Sequence, residues 1–88
     1  MSKSSFVTAL QSISSEKEMS QFLQEILTEA ELRDIELRWK LMEKLRAGDT
    51  QRHIAQELGV SLCKVTRGNK ILKNTNSISS RLLGASHE

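Results

Sequence analysis

An all-α fold of about six helices is what this sequence predicts, and three observations carry the expectation. The 88 residues include no proline and only four glycines, so little interrupts runs rich in Leu, Glu, Lys, Arg, Gln and Ala. Apolar residues recur at three- and four-residue spacing along most of the chain, and no alternating β-branched strand of useful length occurs. Hydroxyl residues that start helices stand ahead of new apolar periods, at Ser14-Ser15, Thr28 and Ser61.

Phe6, Val7, Leu10 and Ile13 mark a first helix over about 4–14. Ser14-Ser15 then precedes Glu16 and Glu18, acids that suit a positive helix end, and the second helix runs to about Ile26 with Met19, Phe22, Leu23 and Ile26 on one face. Thr28 and Glu31 have the spacing of a capping box, in which each side chain bonds the other residue's amide. The long helix they open carries Leu32, Ile35, Trp39, Met42 and Leu45 inward, is widened by Leu37 and Leu41, and ends at Gly48. Two shorter helices follow over about 51–72. The tail from Asn74 to Glu88 is polar and Ser-rich, with one apolar knot at Ile78, Leu82 and Leu83, and predicts a short weak helix with a frayed end.

A chain this small buries a modest share of its surface and needs metal, disulfides or a partner subunit to make up the difference. Cys63 is the sole cysteine, and the two histidines lack metal-ligand spacing, so neither a disulfide nor a metal site is expected. Oligomerisation is left as the source of extra core, and the broad apolar stripe of the long helix asks for it. The start, MSKSSFVTALQS, lacks the apolar run of a secretory signal, and no stretch approaches a membrane span. The expectation is a reduced, cytoplasmic protein with no membrane partner. No carboxylate pair, nucleophile with base, or phosphate-binding loop can be assembled, so no enzyme and no catalytic residue is expected.

The net charge of +2 hides an asymmetry. Residues 1–37 carry three basic and seven acidic side chains, whereas residues 38–73 carry nine basic and three acidic. A half that positive suits a polyanion. Lysines and arginines also solvate ordinary helix faces, so charge alone leaves nucleic acid open.

The segment QRHIAQELGVSLCKVTRGNKIL, from Gln51 to Leu72, narrows the choice. Ala55 is small where a second helix would cross, and Gly59 supplies left-handed backbone for a tight turn. Ile54, Leu58, Val60, Leu62 and Val65 would form the core between the two helices, with Ser61 capping the second. On that second helix Leu62, Val65, Asn69 and Leu72 share one face, opposite Cys63, Lys64, Arg67, Lys70 and Ile71. One buried side and one basic side match a helix-turn-helix whose second helix enters a DNA major groove. A helical hairpin used only for protein contacts is the competing reading.

The block LGVSLCKVTRGNKILK resembles the Trp repressor family, whose mark is Thr-Arg-Gly in the middle of the recognition helix with Leu-Lys shortly after. Upstream, LTEAELRDIELR keeps the family's ten-residue step from Thr28 to Arg38, and Gly48 lies ten further on. The likeness covers about 6–73, with one residue fewer in the turn from Gly48 to Gln51. It implies an intertwined homodimer that represses transcription on a palindromic double-stranded operator, with L-tryptophan as corepressor and no other cofactor. The division would be a single helical domain with a dimerisation core over about 4–47, a DNA-reading head over 50–73 and a tail over 74–88.

Residue by residue, the resemblance implies that Arg38 and Arg67 sandwich the indole ring and that Arg67, helped by Thr28, pairs with the carboxylate. Backbone carbonyls near Glu25 and Leu27 of a partner subunit would take the ammonium group, and Gly68 would leave the ligand room. Arg38 also reads as an exposed residue paired with Asp34 at i, i+4, worth about 0.2–0.5 kcal/mol. For DNA the matching positions are Gln51, Arg52, Leu62, Cys63, Lys64, Thr66 and Lys73. Arg52 could donate bidentately to a guanine edge, while Lys64, Thr66 and Lys73 suit phosphates. Cys63 reads as a small residue at a close contact rather than a redox sensor. Ile71 departs from the pattern, since family members best fitted to tryptophan carry a serine there. An isoleucine cannot bond the ammonium and adds bulk, which keeps open another small ligand or none.

Overall fold

The computed structural model describes residues 4–86, with side chains as far as residue 84. Its elements are α1 (Ser5–Ser12), α2 (Glu16–Ile26), α3 (Glu29–Arg46), α4 (Gln51–Leu58), α5 (Leu62–Lys73) and α6 (Ile78–Ser86), and the described residues form no strand. Packing divides the chain into two compact units, one ending at Arg33 and the other starting at Asp34. The all-α expectation and the count of six helices hold.

In the first unit, local hydrogen bonds set the helix ends. The Ser4 hydroxyl accepts from the Val7 amide at 3.4 Å to start α1, and Ser15 accepts from the Glu18 amide at 3.0 Å to start α2. The first helix closes at Ser12, with Ile13 in an extended conformation, a little short of the expected end. The capping box forms in both directions: the Thr28 amide donates to Glu31 Oε1 at 2.9 Å, and the Glu31 amide donates to Thr28 Oγ1 at 3.1 Å. Phe6 and Phe22 stack with ring centroids 6.0 Å apart. Neither α1 nor α2 has a buried residue, so this unit holds apolar side chains that the single chain does not cover.

The second unit owns the core. Leu41 and Met42 of α3, Ile54 of α4, Val65 of α5 and Leu83 of α6 are buried together, with Leu45, Ala55, Leu58, Val60 and Leu72 packed around them. α3 ends in a Schellman motif, the Asp49 amide donating to the Lys44 carbonyl and the Gly48 amide to the Leu45 carbonyl, with Gly48 at φ +100°. Thr50 caps α4 by accepting from the His53 amide at 3.2 Å. Gly59 takes φ +66° as the turn requires, and Ser61 caps α5 by accepting from the Lys64 amide at 3.3 Å.

Four expectations about the core are corrected. Leu62, placed between the two motif helices, is 46% exposed. At about 100° per residue it lies roughly a quarter turn from the centre of the Val65–Gly68–Leu72 face, so it sits on the flank of α5. Ile35 and Trp39, expected inward, are exposed in the single chain, because the buried face of α3 centres on Leu41 and Met42. The tail does more than the weak helix expected of it. The Asn74 side chain accepts from the Asn76 amide and Ser77 Oγ from the Ser80 amide, and this capped turn delivers fully buried Leu83 to the core. Arg46 Nη1 donates to Ser80 Oγ at 3.2 Å on the same seam. The fraying expected at the end of the tail lies outside the described residues.

Because Ile54 and Leu83 are both fully buried, Ile54→Ala and Leu83→Ala should each cost roughly 2–5 kcal/mol in urea unfolding. Ile78→Ala, at a position 65% exposed, should stay within about 0.5 kcal/mol of wild type. Equal effects at Leu83 and Ile78 would mean that α6 does not belong to the core.

Candidate nucleic-acid interface and ligand cavity

The site depends on how closely α5 approaches α3. A Cβ at Gly68 would lie 2.6 Å from Leu41 Cδ1 and 3.4 Å from both Met42 Cγ and Leu45 Cδ1. A side chain at position 68 would force the buried Leu41 terminus to shift, so Gly68 has a packing role beyond the ligand room expected of it. Beside this contact lies a cavity of about 360 Å³, lined by Arg38, Leu41 and Met42 from α3 and Cys63, Lys64, Arg67, Gly68 and Ile71 from α5. Small-ligand sites span about 300–1,000 Å³. The lining joins apolar Leu41, Met42 and Ile71 to three cations, which suits an apolar or aromatic body bearing a carboxylate.

Four of the ligand positions taken from the sequence, Arg38, Arg67, Gly68 and Ile71, are therefore brought to one cavity. Glu25, Leu27 and Thr28 lie in the other unit. Glu25 is in the last turn of α2 and accepts from Gln21 Nε2 at 3.2 Å. Leu27 caps that helix, donating its amide to the Leu23 carbonyl at 3.0 Å, and a helix end of this kind leaves its last carbonyls without intrahelical partners. The Thr28 hydroxyl is engaged in its capping box. The Arg38–Asp34 pair read from the sequence forms at 3.2 Å, so Arg38 is both ion-paired and cavity-lining. Sequence reading missed that Lys64 reaches the same Asp34 at 3.3 Å, since the two lie 30 positions apart and only the packing of α5 on α3 joins them.

The positions assigned to DNA are spread over the start of α4 and both flanks of α5. Leu62, Cys63 and Thr66 line a shallow groove with Arg67 and Lys70. Lys70 belongs to the basic face of α5 but not to the positions that the resemblance gives to DNA. Thr66 Oγ1 donates to Gln51 Oε1 at 2.9 Å, fixing the start of α4 against the middle of α5. Arg52 and Lys73 are exposed. Lys64 turns to the cavity side. Cys63 and Arg67 line both cavity and groove, so whatever fills the one touches side chains that shape the other.

The expectation of no metal-ligand spacing around histidine needs adjustment. Asp49, His53 and Glu57 follow one another at i, i+4, i+8, and their ligand atoms lie within 4.8 Å of one another. A cation already occupies part of that arrangement, because Lys44 Nζ sits 2.7 Å from Glu57 Oε1. The hydrogen bond from Lys44 lowers the Glu57 carboxyl below its ordinary range, and the same bond raises the Lys44 ammonium. This pair ties α4 to the last turns of α3.

Fold and site together define a helix-turn-helix protein with an amphipathic, cation-lined cavity behind its second motif helix. The family model for the Trp repressor protein matches residues 2–85. A Trp operon repressor homolog of Chlamydia trachomatis serovar L2 (strain 434/Bu) is 32% identical over 72 residues, covering 81% of this chain and 77% of that relative. The homolog of serovar D is 33% identical over 69 residues, covering 77% and 73%. One from Xylella fastidiosa strain M23 is 38% identical over 60 residues, covering 67% and 65%. No solved structure gives a significant match. The chain belongs to the Trp repressor family, and it is a regulator of the repressor type. No helix among the described residues is long and apolar enough to cross a membrane.

The Lys44–Glu57 pair sets a pH window. Glu57 is lowered from 4.5, so its contribution to stability is present above that value and is lost as pH falls through the lower folded value. Lys44 is raised from 10.5, so its contribution is present below that value and is lost as pH rises through the higher one. The stability gap between wild type and Glu57→Gln should therefore stay level through neutral pH and close at both extremes. A gap that widens on acidification would contradict the pairing.

Proposed function

We propose that this protein is a cytoplasmic transcriptional repressor that binds a palindromic operator as an intertwined homodimer, with L-tryptophan as its corepressor. The observation that carries this reading is the meeting of Arg38, Arg67, Gly68 and Ile71 at one cavity directly behind the groove-lining helix. Two guanidinium groups suit an indole face and a carboxylate, and the negative end of a partner's α2 suits the ammonium. A ligand wedged between α3 and α5 would fix the stance of α5, and Arg67 would pass its presence to the groove. The dimer draws support from apolar side chains left exposed on the single chain, among them Phe6, Ile35 and Trp39. Ile71 favours a second reading. It gives the cavity an apolar wall where a hydroxyl would hold ammonium, which suits a ligand lacking that group.

Calorimetric titration with L-tryptophan separates the two. Binding is expected, and Arg67→Ala should weaken it by about 1.5–3 kcal/mol, the range for a hydrogen bond to a charged group. Ile71→Ser should tighten it by restoring a donor and acceptor beside the ammonium. If the wild type takes up no tryptophan and Ile71→Ser gains none, the tryptophan reading fails and the second one stands.

The DNA contacts are separable on a duplex selected from a random pool. Arg52→Ala should relax base preference, at roughly 1–3 kcal/mol for a bidentate guanine contact. Lys73→Ala should weaken all duplexes alike and reduce the salt slope by about one unit. Identical losses of sequence preference in both variants would contradict these roles.

A further inference from the structure

We propose that Asp34 is a positioning residue that restrains DNA binding by holding Lys64 of α5 against α3. The proposal rests on the DNA-binding reading above and adds a residue that reading did not contain. The Asp34 carboxylate is shared: Oδ1 accepts from Lys64 Nζ at 3.3 Å, while Oδ2 faces Arg38 Nη2 at 3.2 Å. Asp34 is only partly buried, its side chain 41% exposed, so the contact forms and breaks on the protein surface without a cavity to close. Lys64 is the third residue of α5, its amide bonded to the capping Ser61, beside exposed Cys63 and one turn before Gly68, where α5 packs directly on Leu41. A lysine held there has its charge partly offset by the carboxylate and presents less positive potential to a phosphate than a free one.

Two effects then act in one direction. Lys64 must exchange one anion for another when DNA arrives, and the carboxylate left behind repels the phosphates. Exposed ion pairs are worth about 0.2–1 kcal/mol, which corresponds to about a 1.5- to 5-fold change in affinity for each reading head. Asp34 therefore sets the resting affinity low, while Arg38, drawn to the same carboxylate, stays on the cavity wall.

The test is a double-mutant cycle on a mixed-sequence duplex without added tryptophan, read by fluorescence anisotropy at two salt concentrations. Asp34→Asn should raise affinity by about 1.5- to 5-fold, most at low salt, with thermal melting unchanged. Asp34→Glu should keep the wild-type affinity, because a carboxylate remains within reach. In a Lys64→Gln background, Asp34→Asn should have little further effect. A full, additive gain in that background would show general repulsion and overturn the role of Lys64. No gain in the Asp34→Asn variant would overturn the proposal outright. If the wild type binds no duplex at all, the DNA reading falls and this proposal with it. If tryptophan has no influence but the cycle behaves as expected, the restraint stands and only the corepressor reading fails.

Discussion

The close approach of α5 to α3 at Gly68 is the constraint on which the functional half of the chain turns. Leu41 fills the space a side chain would need, and the same residue is almost completely buried in the core. That single contact fixes which flank of α5 faces the cavity and which faces the groove. Arg67, one residue earlier, falls between the two flanks and lines both. Val65, one turn before Gly68, gives α5 a second anchor in the core.

Charge is organised around that contact. Arg38, Lys64 and Arg67 converge on the cavity, and Asp34 answers two of them. An uncompensated trio would repel itself and hold the cavity open to any anion; the shared carboxylate orders two of the three. Between α3 and α4, Lys44 and Glu57 do comparable work for the helix that carries Arg52. Both clusters draw their cations from the basic segment 38–73, where attraction to a polyanion has to coexist with internal cohesion.

What could be read from the sequence was governed by distance along the chain. The caps at Ser15, Thr28 and Ser61 and the left-handed turn at Gly59 involve neighbours within three residues, so their residue types announce them. The capping box formed as its spacing required. Apolar periodicity located the helices but not their inward faces. Leu62 falls outside the core, and Trp39 outside the core of the single chain, because Leu41 and Val65 decide which edge of each apolar stripe that core buries. Leu83 and the Asp34–Lys64 bond depend on segments far apart in sequence, which composition and period do not encode. The expectation that Arg38, Arg67, Gly68 and Ile71 belong together came from family likeness alone, and these four residues line one cavity.

The connection between α3 and α4 is chemically closed at both ends. The Schellman bonds at Gly48 terminate one helix, the Thr50 hydroxyl begins the next, and Asp49 is the one residue between them. Such a joint has no slack to absorb an insertion, because an added residue would have to break a cap or rotate α4 about its own axis. Modularity in this chain is limited accordingly. A reading head exchanged with a relative whose turn differs in length would have to bring the final turn of α3 along, or its helices would arrive out of phase with the core they were meant to complete.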